Sequence, residues 1–241
     1  MKNQKKLFLV ALHVESTKQS FDEAKKIFAG GADGVLLVNN GFMVFAKDLF
    51  SVAEAIKKQY ANWIVGINPL DIEAGDAVRM FGEHGKNLDT LWVDDGGIIE
   101  GSDVMILNRY VDTYLKLLNQ KQQYYGSIDF KYKQPAKDLV AVSKLAAEKF
   151  GVVITSGPAT GKEPDLQKIM TIKQAIGDTP LGIASGMSTD NIGLFLPYAD
   201  IFIVGTSLLV DHSDQFFYDQ EKIEKFRARI DDYEGELIAQ V

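Results

Sequence analysis

Three glycine-rich segments in the second half of the chain carry the clearest chemical signal: Thr155-Ser156-Gly157-Pro158-Ala159-Thr160-Gly161-Lys162, Ser185-Gly186-Met187-Ser188 and Gly205-Thr206-Ser207. Each follows a short apolar run. Glycine lets backbone N–H groups approach an anion closely, and Ser or Thr adds a hydroxyl donor beside the start of a following helix. Gly157, Thr160, Gly161, Ser185, Gly186, Gly205 and Thr206 therefore form a candidate phosphate clamp. Glycines at such places also serve as plain turns, but three in successive units favour a ligand. The first segment is not a nucleotide P-loop. Its spacing from Gly157 to Gly161-Lys162 is one residue short, and Glu163 stands where a magnesium-binding Ser or Thr is needed.

Other ionisable residues sit at the ends of further apolar runs. His13 closes the first, where an imidazole suits general acid or base work; a structural hydrogen-bonding role is the alternative. Lys131 follows another, as a low-pKa base, a Schiff-base former or an anion clamp, against the plainer reading of a snorkelling rim lysine like Lys133 and Lys137. His84 and His212 have no partner at metal-ligand spacing and read as surface residues. Asp94, Asp95, Glu100 and Asp129 supply enough oxygens for a magnesium ion if they converge, although Asp95 before Gly96-Gly97 is equally a turn residue. No cofactor is assigned, and magnesium stays a minor alternative. Asn40, Asn68, Glu100 and Ser156 are the candidate substrate contacts.

Composition limits what these groups can serve. The 241 residues are 46% hydrophobic, 24% charged and 10% aromatic, as in an ordinary globular protein with a sizeable core. With 26 Lys and Arg against 33 Asp and Glu the formal charge is -7, which repels a polyanion and argues against nucleic-acid binding. The chain has no cysteine, so thiol nucleophiles, zinc-thiolate sites and disulfides are excluded. Met1 to Lys6 before the apolar Leu7 to Leu12 faintly suggests a signal peptide. That run is short, lacks a small-residue cleavage site and reads as a first strand of a cytoplasmic protein without a membrane span.

The elements that must position these residues follow from periodicity. Apolar runs recur at Leu7 to Leu12, Asp33 to Val38, Trp63 to Ile67, Leu88 to Val93, Tyr124 to Phe130, Val152 to Thr155, Leu181 to Ala184 and Ile201 to Val204. Most are apolar throughout, as parallel strands covered on both faces must be. Helical stripes lie between them, such as Phe21, Ala24, Ile27 and Phe28, or Leu107, Tyr110, Val111, Tyr114, Leu115 and Leu118. Strand starts near 7, 33, 62, 88, 124, 151, 180 and 200 are separated by 26, 29, 26, 36, 27, 29 and 20 residues, which are βα-unit lengths. An α/β fold follows: a single-domain (β/α)₈ TIM barrel over residues 1–241, with an open doubly wound sheet as the alternative. All the singled-out residues then fall on the C-terminal face of the strands, where barrels carry their chemistry, and the opposite ends read as bland.

The chain also resembles the BtpA family. The likeness is carried by Val65-Gly66-Ile67-Asn68-Pro69-Leu70, Gly97-Ile98-Ile99-Glu100-Gly101, Thr155 to Gly161, Ser185-Gly186-Met187-Ser188-Thr189-Asp190-Asn191 and Ile203-Val204-Gly205-Thr206-Ser207, in order over nearly the whole chain. The resemblance implies a barrel related to ribulose-phosphate-binding barrels and a phosphorylated sugar or nucleotide ligand. Members are linked to photosystem I accumulation or, as suspected nucleosidases, to sugar uptake. Asn39 stands where the family usually has an acidic residue, and Tyr132 where it usually has a histidine. Two expectations result. The leading one is an enzyme working at a ribosyl carbon as nucleosidase, phosphoribosyl transferase or isomerase. His13 and Lys131 would be its acid/base pair, Asn68 and Asp94 would orient hydroxyls, and Asp129 would stabilise developing positive charge. The other is a non-catalytic assembly or regulatory protein that keeps the phosphate site. Homo-oligomerisation through Tyr110, Tyr114 and Phe216-Phe217-Tyr218 is a further expectation.

Overall fold

A computed structural model describes residues 5–39, 45–70, 72–101, 105–211 and 216–239. Eight parallel strands close a barrel: β1 (Leu7–Val14), β2 (Gly34–Asn39), β3 (Ile64–Asn68), β4 (Thr90–Val93), β7 (Gln123–Ser127), β8 (Val152–Thr155), β9 (Leu181–Ala184) and β10 (Ile201–Val204). β1 closes the ring, pairing with β2 on one side and β10 on the other. The remaining strands, β5 (Ile98–Glu100) and β6 (Met105–Leu107), form an antiparallel hairpin after β4. Helices α1 (Thr17–Ala29), α2 (Ala46–Gln59), α3 (Ala74–His84), α4 (Arg109–Tyr114), α5 (Leu139–Lys149), α6 (Leu166–Ile176), α7 (Ile192–Phe195) and α8 (Gln220–Ala239) follow the strands. Among the described residues no helix is long and apolar enough to cross a membrane.

The uninterrupted apolar strands are explained by two cores. Alternate residues Leu9 and Ala11 of β1 point into the barrel lumen with Leu36, Trp92, Tyr125, Ile154 and Ile203. Their neighbours Phe8, Val10, Leu12 and Val14 pack outward against Ile27 of α1 and Ile223 and Phe226 of α8. Each strand thus buries both faces. Gly66 of β3 is fixed by crowding, because a Cβ there would collide with the Thr90 carbonyl of β4.

Two helical features differ from the sequence expectation. Leu107 does not begin the fourth helix: it ends β6, paired with Ile98, and the helix starts at Arg109, capped by the Asn108 side chain accepting from the Tyr110 N–H at 2.9 Å. The Asn108 N–H donates to the Gly97 carbonyl at 2.7 Å and closes the hairpin first, so the long β4-to-β7 interval holds a hairpin and a six-residue helix. The 20-residue interval before β10 leaves room for only the four residues of α7. In the aromatic stretch before α8, Tyr218 is buried, whereas Tyr110 and Phe217 keep about half their surface exposed.

Candidate functional site

The loops at the C-terminal ends of the barrel strands surround a cavity of about 600 Å³, within the range typical of small-molecule sites. Ala11 and Trp92 belong to its floor, and His13, Asn68, Asp94, Lys131, Thr160, Gly161, Ser185, Gly186, Gly205 and Thr206 line it. Ten residues singled out from sequence therefore share one concavity. Asn40 lies outside the described residues, as does His212.

On one side the walls are backbone. Ser185 and Gly186 have φ of +74° and +79°, a left-handed pair directly after β9. A Cβ at Gly186 would strike the Lys162 carbonyl, so conformation and crowding both demand glycine there. Asn191 holds this loop: its side-chain oxygen accepts from the Ser188 N–H at 2.9 Å, and its amide donates to the Gly186 carbonyl at 2.8 Å and to Glu163 Oε2 at 3.1 Å. Ser207 ties the loop after β10 to the loop after β9 by donating to the Met187 carbonyl at 2.7 Å. Among the described residues the N–H groups of Gly186 and Thr206 have no hydrogen-bond partner. The expected helix N-termini are slight, since α7 has four residues and the segment after Gly205 is a single 3₁₀ turn. This wall therefore offers backbone and hydroxyl donors and little helix macrodipole.

The opposite wall carries the ionisable groups. The His13 ring stacks on Phe216, with centroids 4.0 Å apart and planes 13° from parallel. Burial, reinforced by the positive charge of Lys131, lowers its pKa to about 4, so the imidazole is neutral at pH 7. Asp94 accepts from the Asn68 amide at 3.2 Å; burial raises its pKa against the opposing pull of Lys131 and that hydrogen bond. Lys131 Nζ donates to Thr160 Oγ1 at 3.2 Å and lies 5.7 Å and 5.9 Å from the Phe130 and Tyr132 ring centres. The Tyr132 phenol accepts from the Thr160 N–H at 3.0 Å.

Five singled-out residues stand apart from the cavity lining. Asp129, with φ of +44°, pairs with Lys168 at 2.7 Å and accepts from the Ala136 N–H at 2.7 Å. Glu100 accepts from the Lys137 and Asp138 N–H groups at 3.1 and 3.2 Å. Ser156 is fully buried; its hydroxyl accepts from the Lys131 N–H at 2.8 Å and donates to the Gly157 carbonyl at 2.8 Å. At Gly157 a Cβ would collide with the Lys162 carbonyl, so this glycine shapes the loop after β8 and does not line the cavity. Asp95 accepts from the Gly97 N–H at 2.9 Å, as a turn residue does. These carboxylates border a small side cleft but are already engaged, and among the described residues no group of three His, Asp or Glu could hold a metal ion. Sequence reasoning missed Trp92, which lines the floor and donates from Nε1 to Ser127 Oγ at 3.0 Å, and Asn191, which locks the β9 loop. Their types carry no chemical signature, and only the register of β4 and the return of the β9 loop bring them to the site.

Comparison with known proteins agrees with the fold. The chain is 12% identical to phosphoribosyl anthranilate isomerase from Thermus thermophilus, with a TM-score of 0.62 over 95% of this chain and 99% of that one. It is 13% identical to orotidine 5'-monophosphate decarboxylase from Methanocaldococcus jannaschii, with a TM-score of 0.66 over 94% and 99%. Both likenesses speak to the barrel alone. In sequence it is 29% identical over 211 residues to an uncharacterized protein of Methanocaldococcus jannaschii, covering 78% of this chain and 76% of the relative. It is 28% identical over 205 residues to the photosystem I biogenesis protein BtpA of Synechocystis, covering 77% and 69%. The profile of the BtpA family matches residues 14–232, nearly the entire barrel with its rim loops, and the chain belongs to that family.

Proposed function

We propose that the barrel binds a phosphorylated sugar or nucleotide and acts on it at a ribosyl carbon. One observation carries this reading: a single cavity joins backbone donors at Gly186 and Thr206 to His13, Lys131, Asn68 and Asp94. The phosphate would rest between the Ser185-Gly186 and Gly205-Thr206 loops. Two superposable barrels act, by their names, on phosphoribosyl anthranilate and orotidine 5'-monophosphate, which supports a ligand of this class.

In this reading His13 and Lys131 take separate roles instead of forming a simple acid/base pair. His13, neutral at pH 7, is the base, and Lys131 is the cation. In nucleosidase chemistry water attacks the ribosyl carbon, its proton passes to His13, and the leaving group departs with the electron pair of the broken bond. Asn68 and Asp94 hold the sugar hydroxyls. Transferase or isomerase chemistry at the same carbon would use the same residues.

A thermal-shift series with ribose 5-phosphate, nucleoside monophosphates and orthophosphate tests the binding reading. A ligand at 100 times its Kd stabilises by about 2.7 kcal/mol, roughly 5–10 °C for a domain of this size. Absence of any shift across that series sinks it. The Synechocystis relative's name favours a second reading, a non-catalytic assembly protein with a retained phosphate site. His13→Gln separates the two, because an enzyme loses turnover and keeps ligand binding, whereas the assembly reading has no turnover to lose.

A further inference from the structure

Outside this cavity, four partly buried lysines pair with carboxylates. Lys6, Lys57, Lys168 and Lys173 have side chains 12–28% exposed and pair with Asp200, Asp89, Asp129 and Asp200 at 2.7–3.5 Å. Lys131 differs from these four. It is half-buried in the cavity wall, and its ammonium has only the neutral Thr160 hydroxyl and two aromatic faces. The two carboxylates that line the same cavity are engaged by amides, Asp94 by Asn68 and Glu163 by Asn191. Among the described residues Lys131 therefore makes no direct ion pair, and Asp94 acts on it only through space.

Nor does Lys131 share a loop with the backbone donors. The strap after β8 spans the two regions. At one end Lys162 and Glu163 abut Gly186 of the β9 loop; at the other Thr160 bonds Lys131 and Tyr132 of the β7 loop. Between them Gly161, with φ of +73°, has no atom within 4 Å of where a Cβ would stand, so the middle of the strap is bare.

We propose that Lys131, Thr160 and Gly161 form a second anion subsite and that the ligand is a sugar bisphosphate, with one phosphate between the β9 and β10 loops and the other at Lys131. This deepens the phosphorylated-ligand reading and rests on it. A lysine ammonium is a point charge suited to a phosphate oxygen. Thr160 Oγ1 holds Nζ in place until the second phosphate takes it over.

Ribose 5-phosphate and ribose 1,5-bisphosphate are the probes, with affinities measured by titration calorimetry on wild type, Lys131→Met, Lys131→Arg and Thr160→Val. The bisphosphate is expected to bind wild type at least tenfold more tightly than the monophosphate. Lys131→Met should bring that ratio close to one, Lys131→Arg should keep most of it, and Thr160→Val should reduce it severalfold. Equal affinities in wild type, or equal weakening of both ligands by Lys131→Met, overturn the second subsite while leaving the phosphate clamp standing. If neither probe binds wild type, the ribosyl-phosphate reading itself falls and the subsite with it. Should Lys131→Met fail to fold, the arginine and valine variants still decide the matter through the ratio.

Discussion

The two ends of the barrel use the same residue types to opposite effect. At the N-terminal end Asp33, Asp89 and Asp200 each stand directly before a strand, respectively β2, β4 and β10. Each accepts a backbone N–H from the preceding strand in the ring, Phe8 at 2.9 Å, Val65 at 2.8 Å and Leu181 at 3.0 Å. Each also meets cations: Lys5 and Arg227 at Asp33, Lys57 at Asp89, Lys6 and Lys173 at Asp200. This brace recurs three times and leaves its charges compensated. At the C-terminal end His13 is held neutral, Asp94 is shifted toward its protonated form and Lys131 has no carboxylate. One end uses ionisable groups to fix strand register; on the proposed reading the other holds them for a ligand.

The comparison breaks first if the lower end proves dispensable. Asp200→Ala strips two lysines and the Leu181 N–H of their acceptor, and losing one partner of such a network costs about 3–5 kcal/mol. A fall in Tm of roughly 6–20 °C is expected, with ribose 5-phosphate affinity in the folded fraction unchanged; a fall under 2 °C would show the brace to be decorative. Gly186→Ala comes next, because it adds a side chain at φ +79° against the Lys162 carbonyl. A loss of about 2–3 kcal/mol is expected from strain and overpacking, read by urea unfolding, and phosphate binding should disappear along with it. Retained binding would move the phosphate elsewhere.

Much of this division was legible in the sequence, and its gaps have physical causes. Strand runs such as Val152 to Thr155 and Ile201 to Val204 coincide with β8 and β10, because a strand covered on both faces has no polar alternative. The rim residues His13, Asn68 and Lys131 follow from strand ends, which a barrel turns toward one face. The lower end, read as bland, was misjudged: an Asp before a strand is an ordinary local signal, and its partners Arg227 and Lys173 lie 194 and 27 residues away. Residue type and position after a strand place Asp129 and Glu100 with the ligand, whereas backbone donors of the loop at 136–138 capture both carboxylates. Loop hydrogen bonding of that kind has no periodicity to read.

His13 gives the comparison its pH dependence. Its folded pKa of about 4 lies below the ordinary 6.5, so between those values the unfolded chain binds more protons than the folded one. The stability contribution is complete above pH 6.5, declines as pH falls through this window and is gone below about pH 4. The full span is on the order of 3 kcal/mol. Asp94, shifted upward, works against it by favouring the folded state as the pH falls. His13→Gln should therefore flatten the acid-side loss of stability measured by urea unfolding between pH 4 and 7. An unchanged slope would mean that the ring is not buried against Phe216 as described.

The smallest effect isolates Lys131. Lys131→Met removes a hydroxyl contact and a nearby positive charge but no ion pair, so stability at pH 7 should change by less than about 1 kcal/mol. That is far below the loss expected at Asp200, although both residues are ionisable groups in the barrel. Charge removal also relieves the second cause of the His13 shift while burial, the first, remains. The His13 pKa in Lys131→Met should then rise partway toward 6.5, as followed by NMR titration of the ring Cε1 proton. A His13 titration identical to wild type would place the ammonium too far from the imidazole to act on it. The cation and the base would then serve separate parts of the ligand without electrostatic coupling.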